Sequence, residues 1–308
     1  MSQLSRKEWL LLLFLTVCWG FSWPIMKFGI RYFPPITFRT LGLLSALPVL
    51  FIFARSQHAS LAIPPKQLLP LIKLSIPNVL VWNTMIILGI GMLSSGRAAI
   101  LGYTMPIWAV LAGFILYRDK LSRMAWFGVI CAAAGALLLL SGEFSNITGK
   151  PLGTILVLIG ACSWGYGTVE MRKTLLPMPS ISVTFWMIAI SAIPLTIYTV
   201  IFEHSKWHVH ADGWGWATIA YNGLMVFGMA NIIWIQMARK LPPVVSSLSV
   251  MMIPVVGVFS GTLLLAETPR WQDYAALVLI LASMSSVLLK PSKSHQEENR
   301  DVTKNDPL

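Results

Sequence analysis

"TVCWGFSWPIMKFGI", residues 16–30, is an apolar run carrying two tryptophans, a glycine, a proline and, near its end, Lys27. A second version of it returns as "GACSWGYGTVEMRK" at 160–173. At an offset of 145 residues Trp19 and Gly20 fall on Trp164 and Gly165, and Lys27 falls on Arg172. At an offset of 148 the later segments match, "TMPIWAVLAGFILYRDKL" at 104–121 against "MIPVVGVFSGTLLLAETP" at 252–269, so that Pro106 meets Pro254, Gly113 meets Gly261 and Asp119 meets Glu267. Asn83 likewise meets Asn231. The matches keep their order over most of two halves, which predicts an internal repeat.

Composition says what medium the repeat lives in. Of the 308 residues, 56% are hydrophobic and only 11% charged, with a mean hydropathy of +0.71, a mix that belongs to an integral membrane protein and not to a soluble domain. A net charge of +11 would suggest nucleic acid in a soluble chain, but no basic stripe with interleaved aromatics stands apart from the apolar runs, so no nucleic-acid partner is expected. Cys18, Cys131 and Cys162 all lie in apolar stretches, where a thiol behaves as a small hydrophobe. They predict neither a disulfide framework nor a metal site. The N-terminal run has no small-residue cleavage site and is followed by many similar runs, so it reads as a retained span.

A bilayer core of about 30 Å takes about 20 apolar residues per helix. Ten such runs are present, near 9–29, 35–54, 69–91, 94–117, 124–141, 152–171, 180–202, 214–237, 243–266 and 270–289. Short loops rich in turn formers join them, among them "YFPP", "AIPPKQ", "MLSSG", "LLPMP" and "KLPP". The predicted fold class is therefore an all-α integral membrane protein of ten transmembrane helices. Residues 1–142 form a first five-helix repeat, residues 150–290 a second, and residues 291–308 a polar disordered tail. Five is odd, so the second repeat enters the membrane from the opposite side, and the two form an inverted pair. Such repeats support alternating access, because one packing can exist in two mirrored forms.

With a cytoplasmic N-terminus the inner flanks hold fourteen basic residues, including Arg6, Lys7, Arg55, Lys66, Lys73, Arg118, Lys120, Arg123, Arg172 and Lys173, whereas the outer loops hold only Arg31, Lys150, Lys206 and Arg270. This positive-inside bias places both termini in the cytoplasm.

At this point the chain resembles the drug/metabolite transporter superfamily, in particular the ten-helix EamA-type permeases. The resemblance rests on "CWGFSWP" in the first span, "PITFRTLGLL" opening the second, "GYTMPIWAVLAGFILYRDKLS" with "GVICAAAGALLL" across the fourth and fifth, and their second-half counterparts, and it covers about residues 9–290. It implies bundled inverted five-helix repeats in a bacterial cytoplasmic (inner) membrane. It also implies transport of small metabolites, often amino acid export, through a cavity lined by spans 1, 3, 4, 6, 8 and 9. The fourth span departs from the family by ending in "YRDK" where members often have a glycine–glutamate pair, while the ninth keeps Glu267.

Several residues could line such a cavity. Pro106 and Pro254 sit near the centres of the fourth and ninth spans, where each removes a backbone hydrogen bond and bends the helix; the kink either shapes the cavity or is purely structural. Asn78 and Asn83 on the third span, and Asn222 and Asn231 on the eighth, should face inward, because an unsatisfied amide in lipid is costly. They serve either as interhelical glue or as donor–acceptor groups for a neutral polar or zwitterionic cargo. Ser163, Tyr103 and Thr104 add hydroxyls at similar depth. Trp19, Trp23, Trp82, Trp108 and Trp164 lie well inside their spans and are either packing residues or flat walls of a pocket. Trp9, Trp207, Trp214 and Trp216 read as interfacial anchors. Lys27, Arg39 and Arg97 lie about a turn from the outer surface. They either snorkel or ring an outer vestibule that draws carboxylate-bearing cargo.

Absences shape the functional expectation. All five histidines lie in loops or the tail and no carboxylate lies deep in a span, so facilitated diffusion or weak proton coupling is predicted. No Ser–His pair, histidine cluster or paired carboxylates occupy the spans, so an intramembrane enzyme is not expected. No cofactor is expected either. "HSKWHVH" at 204–210 and the sequon "NIT" at 146–148 read as solvated loop segments. Gly128, Ala132 and Gly135, with Ala282 and Ser286, have the spacing of close helix contact, either within the bundle or between subunits of a homodimer. The chain is predicted to be a secondary transporter exporting an amino acid or related metabolite, with a drug or lipid-carrier exporter as the alternative.

Overall fold

In the computed structural model of the chain, which describes residues 5–144, 151–174, 176–207, 211–238 and 243–288, every described element is a helix. The tail, the sequon at 146–148, and His208 and His210 lie outside the described residues. The first helix starts on a capping box: Ser5 Oγ accepts the Glu8 N–H at 3.3 Å while the Glu8 carboxylate accepts the Ser5 N–H at 2.9 Å. From there α1 (Arg6–Gly29) and, after a short turn, α2 (Pro35–Ser56) run unbroken.

The next stretch is divided. Helix α3 (Leu68–Ser75) passes through a π-helical segment, Ile76–Val81, into α4 (Trp82–Ile90). Pro77 has no N–H to give, and the widened turn absorbs the missing bond. Helix α5 (Ser95–Gly102) breaks at Tyr103–Thr104 before α6 (Met105–Tyr117), so Pro106 lies in the first turn of a helix and not inside one. Proline is tolerated there because that N–H would be unbonded anyway. Helices α7 (Arg123–Phe144), α8 (Pro151–Lys173) and α9 (Ser180–Tyr198) follow, the last extended by a π-helical turn at Thr199–Glu203 and a short 3₁₀ turn at His204–Lys206. Helix α10 (Gly213–Ala220) leads through a second π-helical segment, Tyr221–Ala230, to α11 (Asn231–Ala238). Helices α12 (Pro243–Leu265), with Pro254 inside it, and α13 (Trp271–Leu288) complete the chain.

Eight helical stretches, from Arg6–Gly29 to Gly213–Met237, are long and apolar enough to cross a membrane, and the apolar part of α12, Ser249–Leu265, is shorter. The protein is an integral membrane helical bundle. Lipid offers no hydrophobic drive for helices to associate, so close packing must supply it, and small residues permit the approach. At Gly20 of α1 an added Cβ would lie 2.3 Å from Val256 Cγ1 of α12, and at Gly165 of α8 it would lie 2.7 Å from the Ala109 backbone nitrogen of α6. The small-residue stripe on α7 meets α13: Ser283 Oγ donates to the Gly128 carbonyl at 2.7 Å, and Gly135 lies against Ile280.

Two turns repeat each other. Arg118 (φ 56°) ends α6 and Ala266 (φ 52°) follows α12, both in the left-handed region. The next N–H, of Asp119 or Glu267, donates to the carbonyl of Gly113 or Gly261. The two turns are 148 residues apart, the offset seen in the sequence.

Candidate functional site

One end of the bundle is tied together by charge. The first turn of α5 exposes three backbone N–H groups that no helical carbonyl can take. Glu267, in the turn between α12 and α13, accepts two of them, from Ser95 at 2.8 Å and Gly96 at 3.3 Å, and Ser94 Oγ accepts the third, from Arg97, at 3.3 Å. The Ser95 hydroxyl also donates to Glu267, at 2.7 Å, and the Lys27 ammonium lies 3.4 Å from the same carboxylate while donating to the Leu93 carbonyl. Arg97, 6% exposed, pairs with Asp273 of α13, itself 4% exposed. On the same face Glu203 accepts from the N–H groups of Ile36 (3.3 Å) and Thr37 (2.6 Å) at the start of α2, the position where a carboxylate best complements a helix dipole.

The opposite end is held differently. Helix α12 packs along α5, whereas α6, which continues the line of α5, makes no comparable packing with α12 among the described residues. Asp119, in the turn that matches the Glu267 turn, is exposed. Here Tyr117 of α6 donates to Glu170 of α8, with Lys173 4.8 Å above the Tyr117 ring.

Between the ends lies an aromatic centre. The rings of Trp23 and Tyr103 are 6.3 Å apart and those of Trp82 and Trp164 5.0 Å apart. Gly102 links the pairs: a Cβ there would sit 2.6 Å from Trp23 and 3.5 Å from Trp82. A second tryptophan pair, Trp19 and Trp234 at 5.9 Å, joins α1 to α11. Trp23 Nε1 is buried with no hydrogen-bond partner. Trp108 Nε1 donates to Thr104 Oγ1 at 3.1 Å, in the break that precedes Pro106. Pro254 is buried in α12.

The four asparagines do not bridge helices with their amide hydrogens. Asn78, Asn83 and Asn222 each donate from Nδ2 to the carbonyl four residues back, at 2.7 to 3.1 Å, and Asn231 donates to both Val226 and Phe227. Three of these residues lie in or next to the π-helical segments, where widened turns leave carbonyls short of donors. The Oδ1 atoms of Asn78, Asn83 and Asn222 are buried without a partner. Asn83 and Asn231 share no hydrogen bond. Ser163 donates to the Pro77 carbonyl at 3.1 Å, and Asn78 packs against Gly167, so α8 closes on the first π-helical segment through small and polar residues.

Of the three candidate cations, Lys27 and Arg97 have carboxylate partners and Arg39 has none among the described residues. Arg39, 3% exposed, rests its Nη2 on the Met26 sulfur at 2.7 Å and its Cζ 5.3 Å from the Phe227 ring centre, and its Nε has no partner. A separate groove of about 350 Å³ lies on the flank between α2, α4 and α9, lined by Ile36, Leu80, Val81, Thr84, Met85, Leu88, Pro194, Leu195 and Tyr198.

Sequence reasoning missed Glu203, which follows its seventh span, and Asp273, which lies near the start of its tenth. For Glu203 the signal lay in the helix start opposite it, "PPITF", whose early N–H groups need an acceptor, whereas Asp273 meets the Arg97 side chain and the Arg270 N–H.

The profile of the EamA-like transporter family matches the chain twice, over residues 6–141 and 151–289. An uncharacterized transporter of Bacillus subtilis, YoaV, is 28% identical over 257 residues, covering 82% of this chain and 87% of its own. The uncharacterized inner membrane transporter YedA of Escherichia coli is 27% identical, covering 89% and 88%. A Salmonella typhimurium protein named "Probable amino-acid metabolite efflux pump" is 26% identical, covering 91% and 94%. A solved crystal structure at 18% identity superposes with a TM-score of 0.66, covering 92% of this chain and 97% of the other, which speaks for the fold.

Proposed function

The chain belongs to the EamA-like transporter family, and from that premise we propose that it is a secondary transporter that exports an amino acid or related small metabolite by alternating access. In this reading ten spans form two inverted five-helix halves, 1–142 and 150–290, with both termini in the cytoplasm. The doubled family match, the paired left-handed turns at Arg118 and Ala266, and the two tryptophan pairs that each cross from one half to the other support it. The observation that carries it is the unequal closure of the two ends. Glu267 ties α12 to α5 while the matching Asp119 is exposed and makes no such tie among the described residues, the arrangement of a carrier sealed on one side. The positive-inside pattern makes the sealed side the outer one. The name of the Salmonella relative favours amino-acid cargo.

Counterflow in proteoliposomes tests this. Vesicles are loaded with one unlabelled amino acid at a time, led by tryptophan, phenylalanine, threonine and cysteine, and uptake of the labelled compound is followed without a pH gradient. Uptake above that of empty liposomes is expected. Uptake that requires an imposed pH gradient would overturn the uncoupled form, and silence under both conditions would overturn amino-acid export.

A second reading has its own observation. The lateral groove is apolar apart from Thr84 and the Tyr198 hydroxyl, the lining suited to a drug or lipid carrier entering from the bilayer. Replacing Leu88 with Trp would fill the groove. Loss of a lipid or drug flux with amino-acid counterflow intact would favour this alternative.

A further inference from the structure

Buried charge is where this structure departs most from what a membrane protein ordinarily tolerates. Lys27 and Arg97 each meet a carboxylate within 4 Å, at Glu267 and Asp273. Arg39 is more deeply buried than either and meets none among the described residues. Glu203, the carboxylate bonded to the start of α2, accepts the Ile36 N–H at Oε1 and the N–H and hydroxyl of Thr37 at Oε2. Arg39 instead contacts Met26 of α1 and Phe227 of the second π-helical segment. A thioether is a weak acceptor, and a ring face compensates a guanidinium only in part. Snorkelling does not resolve the charge, because a side chain 3% exposed has not reached the surface.

One turn further along α2, Gly42 has Asn222 Cβ 3.6 Å and Phe227 Cε2 3.8 Å from where a Cβ would stand. Residues three apart share a helix face, so Arg39 and Asn222 are brought to the same side of α2, against the same phenylalanine. One holds a donor with no acceptor, Arg39 Nε, and the other an acceptor with no donor, Asn222 Oδ1. Folding alone has no use for two buried, half-satisfied polar groups, which cost more than apolar replacements. A ligand supplies one.

We propose that Arg39 is an occluded receptor for the carboxylate of the transported compound, which displaces the Met26 sulfur and pairs with the guanidinium. A planar fork of donors matches a carboxylate bidentately, and an arginine stays charged throughout the cycle. Asn222 Oδ1 then accepts from an ammonium or amide group of the same cargo. The site rests on the transporter reading and names the part of the cargo that it must recognise.

The test uses the purified full chain and matched compounds: an amino acid, its amide, and the amine that lacks the carboxylate. In thermal unfolding, wild-type protein should be stabilised by the acid and not by the amine, and Arg39→Gln should lose that stabilisation. Without ligand, Arg39→Gln should unfold at the same temperature as wild type or a higher one, because an uncompensated charge has been removed. Counterflow of the acid should fall about tenfold or more in Arg39→Gln, with Arg39→Lys intermediate. An Arg39→Gln protein that unfolds earlier without ligand would assign Arg39 to packing and overturn the proposal. So would counterflow that treats acid, amide and amine alike in both proteins, although the transporter would stand. Stabilisation by carboxylates with no counterflow would support the site and overturn transport. Neither stabilisation nor counterflow with any carboxylate would overturn both.

Discussion

Glu267 sits on the start of α5, its two carboxylate oxygens accepting the N–H of Ser95 at 2.8 Å and the hydroxyl of the same residue at 2.7 Å. The contact spans 172 positions of sequence and joins the end of α12 to a helix from the other half of the chain. It also anchors Lys27, so one carboxylate holds three elements at one face.

Replacing Glu267 with Gln keeps the shape and removes the charge. A hydrogen bond to a charged group contributes about 1.5 to 3 kcal/mol, so the sealed form should lose about ten- to a hundredfold in relative population. Val258, buried beneath the seal against Gly96, reports the change. A Val258→Cys protein with the native cysteines replaced should react faster with a membrane-impermeant maleimide when Glu267→Gln is added. An unchanged rate would show that the seal does not depend on this carboxylate.

Arg97 and Asp273 illustrate a different balance. Both are buried, so removing either alone takes a close counter-charge from the other and should cost about 3 to 5 kcal/mol. Arg97→Met and Asp273→Leu singly should therefore lower the unfolding temperature in detergent. The double replacement should recover most of it, because an apolar pair of similar volume needs no counter-ion. If Arg97 drew cargo from a vestibule, the double variant would be stable and inactive; retained counterflow would assign the pair to structure.

Gly20 and Val256 set how closely α1 and α12 approach. A methyl group at residue 20 would stand 2.3 Å from Val256 Cγ1, well inside contact distance, so Gly20→Ala should destabilise by about 1 to 3 kcal/mol. Val256→Ala should restore much of that loss in the double variant. Additive losses instead would show that the helices yield elsewhere, for example at the Ile253 carbonyl, 3.4 Å from the added carbon.

Much of this was legible in the sequence because lipid leaves the chain few options. Helix limits such as Pro35, Tyr117 and Ser180 fall within a residue of the positions read from apolar runs and turn residues. Trp82 and Trp164 were legible as residues well inside their spans, but not as a pair. The π-helical segments were not legible, since one extra residue in a turn leaves an all-apolar run looking the same. Asn78 and Asn222 are buried, but their amide hydrogens go to Leu74 and Thr218 of their own helices, not to neighbours. Glu203 and Asp273 were not singled out because sequence shows distance from an apolar run, not which helix start or arginine lies opposite.

The tryptophan pairs give a last prediction. Trp82 and Trp164 stand 5.0 Å apart at 48°, and Trp19 and Trp234 stand 5.9 Å apart at 54°, so each half contributes one ring from its first helix and one from the α4 or α11 segment. Aromatic pairs contribute about 0.5 to 1.5 kcal/mol beyond the area they bury. A double-mutant cycle of Trp82→Phe and Trp164→Phe should show coupling of that size in thermal unfolding. Only the first pair is joined through Gly102 to Trp23 and Tyr103, so only it should alter cargo handling. Trp164→Phe should raise the KM for counterflow of an aromatic amino acid several-fold with little change in maximal rate, the pattern of lost uniform binding. Trp234→Phe should leave KM unchanged. Equal effects from the two would make both pairs packing contacts and move the cargo away from the aromatic centre.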